Sequence, residues 1–268
     1  MNKFKRVIAF VSDLHIGGRY ALCPPKYLTR EGVGLKHSKE QKKIWNFWLT
    51  YCKECDNNNV DTVVIVGDTV HGQNPAERGI MLLTPDVDEQ KEMAIECLKP
   101  LVRKRQLCMF PGSSYHSSIL GSALERDICN VLYGEWEGAI ANLVFEPSKK
   151  VFNISHGQSA AYIYREMLMG REALHIKWAE SLRKIPNIDV IVRGHWHHFI
   201  YFHENRLHMI QLPGWMAYEP SRVYLKSYGK MQPDIGGVIV FIDHQDRIRV
   251  WHYLMDKIPN IADSTQRV

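Results

Sequence analysis

An α/β fold is predicted, in which short buried strands present polar groups at one edge of a sheet. Three observations carry this expectation. Apolar runs of strand length stop abruptly at Ser12-Asp13, Gly67-Asp68, Pro111-Gly112 and Gly194-His195, as buried central strands do on reaching the sheet edge. The segments between them carry helical periodicity, so that strand, polar tip and helix alternate through the first half of the chain. With 268 residues, 45% of them apolar, the chain can fill a large core, and residues 1–268 are expected to form a single domain.

Residues 7–11 (VIAFV) form the first expected strand. A helix is expected from Ser38, which has capping-box spacing to Gln41, and Ile44, Trp48, Tyr51 and Cys55 then line one of its faces. Residues 62–66 read as a second strand, 86–105 as a helix, 107–110 as a third strand and 119–132 as another helix. Strands at 139–145 and 151–154 lead into His156-Gly157. A long helical segment follows over about 160–184, with Leu174, Trp178 and Leu182 spaced by four, before a buried strand at 189–192. Residues 207–212, 236–242 and 247–253 read as strands of an antiparallel C-terminal region. The segments 18–37 and 70–85 are expected loops that start just after a chemical motif, where pocket-shaping loops commonly lie.

The formal net charge of +5, from 34 basic and 29 acidic side chains, slightly favours anionic partners but is no nucleic-acid footprint by itself. Arg103-Lys104-Arg105 and residues 39–43 read as solvated helix surface. Only about five apolar residues precede Asp13, too few for a signal-peptide core, and no run approaches the roughly 18 apolar residues of a membrane span. Of six cysteines, Cys52 and Cys55 form a CxxC inside a helical pattern, with no second such pair. Buried thiols in a reducing compartment, and so a cytoplasmic location, are expected.

Four clusters carry the chemistry: Asp13-x-His15, Gly67-Asp68, His156-Gly157 and Gly194-His195-x-His197. In an extended segment, residues i and i+2 point the same way. Asp13 and His15 can then address one ion, as can His195 and His197. Mixed carboxylate and imidazole donors suit Mn, Fe or Zn better than Mg or Ca. A lone DxH or GD is weak evidence; four such clusters at predicted strand ends point to a metal centre.

In these motifs, taken in this order over residues 12–214, the chain resembles the calcineurin-like metallophosphoesterases, whose pattern runs DxH, GDxx, GNH, an isolated His-Gly and GHxH. The resemblance implies a four-layer α/β/β/α sandwich with two mixed sheets. It implies two divalent transition-metal ions, Mn first, with Fe or Zn as alternatives. Asp13, His15 and His197 would hold one ion, His156 and His195 the other, and Asp68 would bridge them. A water shared by the ions would attack phosphorus in line.

The third motif departs from the family. In place of GNH, whose Asn is a ligand and whose His serves the leaving oxygen, stands Pro111-Gly112-Ser113-Ser114-Tyr115-His116. This is similar to a divergent, phage-type branch with a Gly-Thr/Ser-x-x-His version of the motif. Ser113 then substitutes for the Asn ligand, with a water completing its shorter reach, and His116 for the catalytic histidine. The other reading of His116 is an incidental place at the start of the next helix. Tyr115, Trp196 and Trp215 are open between stacking on a base and packing. Arg193 is open between a phosphate and a neighbouring carboxylate, and His37 and His71 remain open as substrate contacts.

The leading expectation is a phosphodiesterase acting on DNA, RNA or a nucleotide derivative. A phosphomonoesterase acting on phosphoprotein or a small metabolite is one alternative. A non-catalytic metal-binding scaffold is another, although six of the seven expected ligands are present.

Overall fold

The structure is a computed structural model that describes residues 3–73, 79–114, 116, 123–157, 166–217 and 233–256. Strands β1 (Phe4–Val11), β2 (Thr62–Val66) and β3 (Gln106–Phe110) run parallel, connected through helices α1 (Lys39–Asn57) and α2 (Val87–Val102). Helix α3 (Ala123–Val131) leads to the two-residue β4 (Glu135–Trp136), parallel to β3. The chain returns late to this sheet with β10 (Gly236–Asp243), antiparallel to β1, and β11 (Ile248–Leu254), giving the order β11-β10-β1-β2-β3-β4. A second sheet holds β5 (Ile140–Phe145), β6 (Lys150–Ser155), β7 (Val190–Arg193), β8 (Ile200–Glu204) and β9 (Leu207–Gln211), in the order β5-β6-β7-β9-β8. Its three inner strands are parallel and its two outer ones antiparallel to their neighbours. Helix α4 (Glu166–Ser181) lies between β6 and β7 in the chain.

Side-chain alternation makes this a four-layer α/β/β/α sandwich. On β1, Val7, Ala9 and Val11 join a core with Ile44, Trp48 and Leu98 of α1 and α2, while Ile8 and Phe10 face the other way. Ile8, Phe10, Val64, Val66 and Phe110 meet Phe152, Ile154, Val190 and Ile210 between the sheets. Ile191 and Met209 point outward to Met169, Ala173 and Ile176 of α4. Strands buried on both faces are apolar without alternation, which is why residues 7–11 and 62–66 read as solid runs.

Helix α1 begins as the spacing predicts. The Gln41 N–H donates to Ser38 Oγ (3.1 Å), and the Ser38 N–H donates to Gln41 Oε1 (3.2 Å). Ile44, Trp48, Tyr51 and Cys55 are its buried face. The Trp48 indole donates to the Cys97 carbonyl and the Tyr51 hydroxyl to that of Val238, tying α1 to both α2 and the sheet.

Some elements differ from expectation. Strands β4 and β8 are absent from the sequence pattern: one has two residues, and the other, IYFHE, is largely exposed. The C-terminal strands divide between the sheets: β9 lies parallel to β7 and antiparallel to β8 in the second sheet, and β10 and β11 form an antiparallel pair in the first. The helix expected to reach Arg105 ends at Val102, and Arg105 turns back to bond the Leu101 and Val60 carbonyls and to pair with Asp56. Residues 119–122 and 160–165 of two expected helices lie outside the described residues. Along α4 and just past it, the row Leu174, Trp178 and Leu182 faces solvent, and the packed face is Met169, Ala173 and Ile176. All six cysteines are free and buried, and burial pushes the Cys55 thiol up to about 12. Among the described residues, no helix is long and apolar enough to cross a membrane.

His208 on β9 gives the second sheet a pH dependence. The Tyr201 hydroxyl lies 2.8 Å from its Nδ1, and the His203 ring stacks on it at 4.1 Å. Burial, then His203 and Lys150, hold its imidazole down to about 4. A depressed folded value means the folded state keeps His208 neutral. Its contribution is therefore complete above the unfolded value of about 6.5 and fades as pH falls from there towards 4. His208 keeps some contact with solvent, which screens the effect. The stability advantage of wild type over His208→Gln should therefore shrink by about 1 kcal/mol, or roughly 2–4 °C in Tm, between pH 7 and pH 4.5, less than half of what the full shift implies. A difference that stays constant over that range contradicts this.

Candidate metal centre

The motif residues gather where β1, β2, β3, β6 and β7 end. Beyond the last paired residues of β1 and β2, the two chains continue side by side: the Asp13 N–H donates to Gly67 O (3.1 Å) and the His15 N–H to Asp68 O (2.9 Å). The Gly194 N–H donates to His156 O (3.0 Å), and the Trp215 N–H to Asp13 O (2.9 Å).

The backbone here is not extended, so the i, i+2 argument does not aim these side chains. Asp13 (φ 54°), His15 (46°), Asp68 (46°), His195 (79°) and His197 (52°) are all left-handed. Such conformations cost about 1–3 kcal/mol each and persist where surrounding bonds fix them. The glycines of the motifs answer to crowding. A Cβ on Gly112 would lie 2.1 Å from Asp68 Oδ1, and one on Gly67, itself at φ +75°, would lie 2.6 Å from His156 Nδ1.

Two groups of donors result, Asp13 with His15 and His197, and Asp68 with His156 and His195, each with its ligand atoms within 4.8 Å of one another. Donors around one ion with bonds of about 2.0–2.2 Å are separated by comparable distances. Asp13 joins the groups: its Oδ1 lies 3.2 Å from His197 Nε2 and 3.8 Å from the Nε2 atoms of both His15 and His156. That oxygen is buried and, among the described residues, accepts no hydrogen bond of good geometry. The Nε2 atoms of His15 and His197 are only 3.0 Å apart. A buried carboxylate oxygen and imidazole nitrogens converging on one space are a donor set that fits a divalent transition metal.

The charges agree with that fit. Burial opposes ionisation of Asp13, but facing His197 and His156 hold its carboxyl well below the usual range. Burial likewise opposes ionisation of Asp68, and His156 and His116 draw it down. Burial opposes protonation of His156, yet Asp68 and Asp13 push its imidazole up to about 10. The His156 Nδ1–H donates to Val66 O (2.7 Å), which turns Nε2 onto Asp68 Oδ2 at 3.0 Å. Burial and then His116 lower His15, and burial and then His156 lower His195, so both imidazoles favour the neutral form in which they can ligate. The two carboxylates draw positive charge to the space between them.

Ser113 is brought to Asp68. Its N–H donates to Oδ1 (2.7 Å), and its Oγ lies 3.2 Å from each carboxylate oxygen. His116 also reaches the site: its ring centroid is 4.4 Å from that of His15, and its Nδ1–H donates to the His71 carbonyl (2.8 Å). His116 itself sits in a turn, its N–H donating to the Ser113 carbonyl (3.2 Å), and residues 117–122, which separate it from α3, lie outside the described residues. His71 stands beside them, buried, with its ring 5.1 Å from that of His116. Together with His15 they form a third group with ligand atoms within 4.8 Å. Its place three residues after Asp68, at a strand tip, is the signal the sequence offered.

The remaining open residues resolve differently. Trp215 is fully buried against Trp48, at 4.7 Å and 89°, and is packing rather than rim. His37 Nε2 lies 2.8 Å from the Pro24 carbonyl, and Trp196 stands edge-on to His195 at 6.3 Å. Tyr115 lies outside the described residues. Arg193 spends all five N–H groups on the protein: Nε and Nη2 on Glu172 Oε2, Nη2 also on Asn153 Oδ1, and Nη1 on the Asn153 and Val192 carbonyls. It serves a carboxylate, not a phosphate.

Sequence reasoning missed Glu125. This buried α3 carboxylate accepts from the Thr69 N–H (2.7 Å) through Oε1 and from the Gly112 N–H (2.8 Å) through Oε2. It clamps the loops that follow β2 and β3 on either side of Asp68. Burial and then the Asp68 charge raise its carboxyl above the usual range.

No protein-family profile matches the chain, and no curated protein matches it. Solved structures do. The chain is similar to a novel archaeal phosphodiesterase at 13% identity, covering 92% of this chain and 99% of that one, with a TM-score of 0.46. Similarity to YfcE, a phosphoesterase from E. coli, is 14% identity over 90% and 96% of the two chains, with a TM-score of 0.43. For zinc-bound Vps29 from Entamoeba histolytica the values are 11%, 92% and 98%, and 0.42. At such identities and TM-scores, the chemistry has to be read from the site itself.

The clamp has a measurable weight. Glu125→Ala leaves the Thr69 and Gly112 N–H groups without their acceptor, and an unsatisfied buried donor costs about 1–3 kcal/mol. Urea denaturation should show a loss of roughly 2–4 kcal/mol, with Glu125→Gln losing less because its amide oxygen keeps one bond. A loss below about 0.5 kcal/mol for the alanine variant would remove Glu125 from this account.

Proposed function

We propose that the protein is a dinuclear-metal-dependent phosphodiesterase of the calcineurin-like metallophosphoesterases, in the divergent branch with a Gly-Ser-x-x-His motif. The observation that carries this reading is Asp13 Oδ1, buried, without a hydrogen bond among the described residues, and facing the Nε2 atoms of His15, His156 and His197. Asp13, His15 and His197 would hold one ion, His156 and His195 the other, with Asp68 between them. Mixed oxygen and imidazole donors favour Mn, with Fe or Zn as alternatives. Bound ions would polarise the phosphoryl oxygens and make water a stronger nucleophile near neutral pH.

The chain's own residues supply the rest. Ser113, through its N–H and Oγ, orients Asp68 and in this arrangement supports a ligand. His116 commits Nδ1–H to the His71 carbonyl, which fixes the ring and leaves Nε2 to carry a proton to the leaving oxygen. A nucleic acid or nucleotide diester is the substrate class favoured by the basic balance of the chain and by its third motif.

With Mn present, bis-p-nitrophenyl phosphate should be hydrolysed in preference to p-nitrophenyl phosphate. His116→Ala should lower turnover by about 10²–10⁴-fold while metal content stays near that of wild type. Cleavage of the monoester alone would overturn the diesterase reading, and unchanged turnover in the variant would overturn the role of His116.

A further inference from the structure

Beside His156 a cavity of about 420 Å³ opens between the ends of β3 and β6 and helix α4. Ligand cavities commonly fall in this range. His156 and Gly112 form the wall next to the proposed centre, so a group seated here can be joined to a phosphorus held there. Pro111, Ala139 and Ile140 supply apolar surface, and Ser155 a hydroxyl. Glu172 and Arg193 complete the lining.

The pair at this wall decides what the cavity can recognise. Arg193 is 4% exposed and has no N–H left to give, so the cavity offers no guanidinium to a second phosphate. Glu172 receives both guanidinium bonds on Oε2. Its Oε1 accepts none among the described residues, while the side chain keeps 31% of its exposure. The result is a carboxylate held in place by a buried cation, with one oxygen available, beside apolar walls. That combination suits a flat, uncharged group that donates an N–H.

We infer that the cavity seats the nucleobase adjoining the scissile phosphate, and that Glu172 selects bases carrying an exocyclic amino group. This rests on the phosphodiesterase reading and narrows its substrate. Cytosine and uracil are the critical pair. Seated in the same orientation, cytosine presents the N4 amino donor where uracil presents the O4 acceptor. A carbonyl set against a carboxylate is repelled, and uracil's own donor, N3–H, lies one position further along that edge.

The test compares the 5′-(p-nitrophenyl) phosphates of cytidine and uridine, with methyl p-nitrophenyl phosphate as the base-free control, all with Mn. The kcat/KM for the cytidine ester should exceed that for the uridine ester by at least roughly fivefold. Glu172→Gln, whose amide can donate to O4, should narrow or invert the ratio. Equal values for the two nucleoside esters in wild type overturn the inference and leave the phosphodiesterase reading standing. Failure of all three esters overturns that reading. Binding of cytidine and uridine 5′-monophosphates to wild type, followed by NMR at the Gly112 and Ile140 amides, then judges the cavity without turnover. Tighter cytidine binding supports the inference, and equal or absent binding rejects it.

Discussion

Asp13 is fully buried, and removing an ionised carboxylate from water costs several kcal/mol even after relaxation, so its surroundings must compensate. One oxygen is provided for by the protein. Oδ2 accepts the His195 N–H at 2.8 Å and lies 2.5 Å from the Ser12 hydroxyl. The other, Oδ1, is left to the Nε2 atoms of three histidines that arrive from β1, β6 and the segment after β7. Much of the architecture serves that convergence. Two sheets must stack so that the ends of β6 and β7 meet the ends of β1 and β2, and Phe10 stacked on Phe152 at 6.0 Å is part of what holds them there. Trp215, packed on Trp48, pins the Asp13 carbonyl from the other side.

The fold was legible because buried parallel strands are solid apolar runs and their polar tips are abrupt. Asp13, His15, Asp68, His156, His195 and His197 could each be found as a break after such a run. How they are aimed was not legible. The sequence pattern suggests an extended backbone at Asp13-x-His15 and His195-x-His197, whereas five left-handed residues do the aiming, held by hydrogen bonds between distant segments. Glu125 was invisible for a related reason. Within ALERDICNV it looks like any helix-surface glutamate, and only the approach of the Thr69 and Gly112 N–H groups from two other loops gives it a task. The row Leu174, Trp178 and Leu182 misled in the opposite direction. Helix α4 is apolar on two faces, and periodicity alone does not say which of them meets the sheet.

The altered third motif looks less like a defect in this setting. A serine is too short to replace an amide as a ligand without a water, but Ser113 reaches the Asp68 carboxylate through both N–H and hydroxyl. His116, displaced along the chain, still comes back to His15 because the His71 carbonyl holds its ring. His71, Ser113 and His116 thus act as one cluster of the loops after β2 and β3. The opposite flank, where Arg193 locks Glu172 beside His156, is built from the second sheet and α4.

The most direct test of the centre is its metal content. Purified protein reconstituted with Mn or Zn and dialysed against metal-free buffer should retain about two ions per chain by elemental analysis. His197→Ala and His156→Ala should each fall towards one ion. Wild-type protein that retains no metal under these conditions contradicts the account at its base.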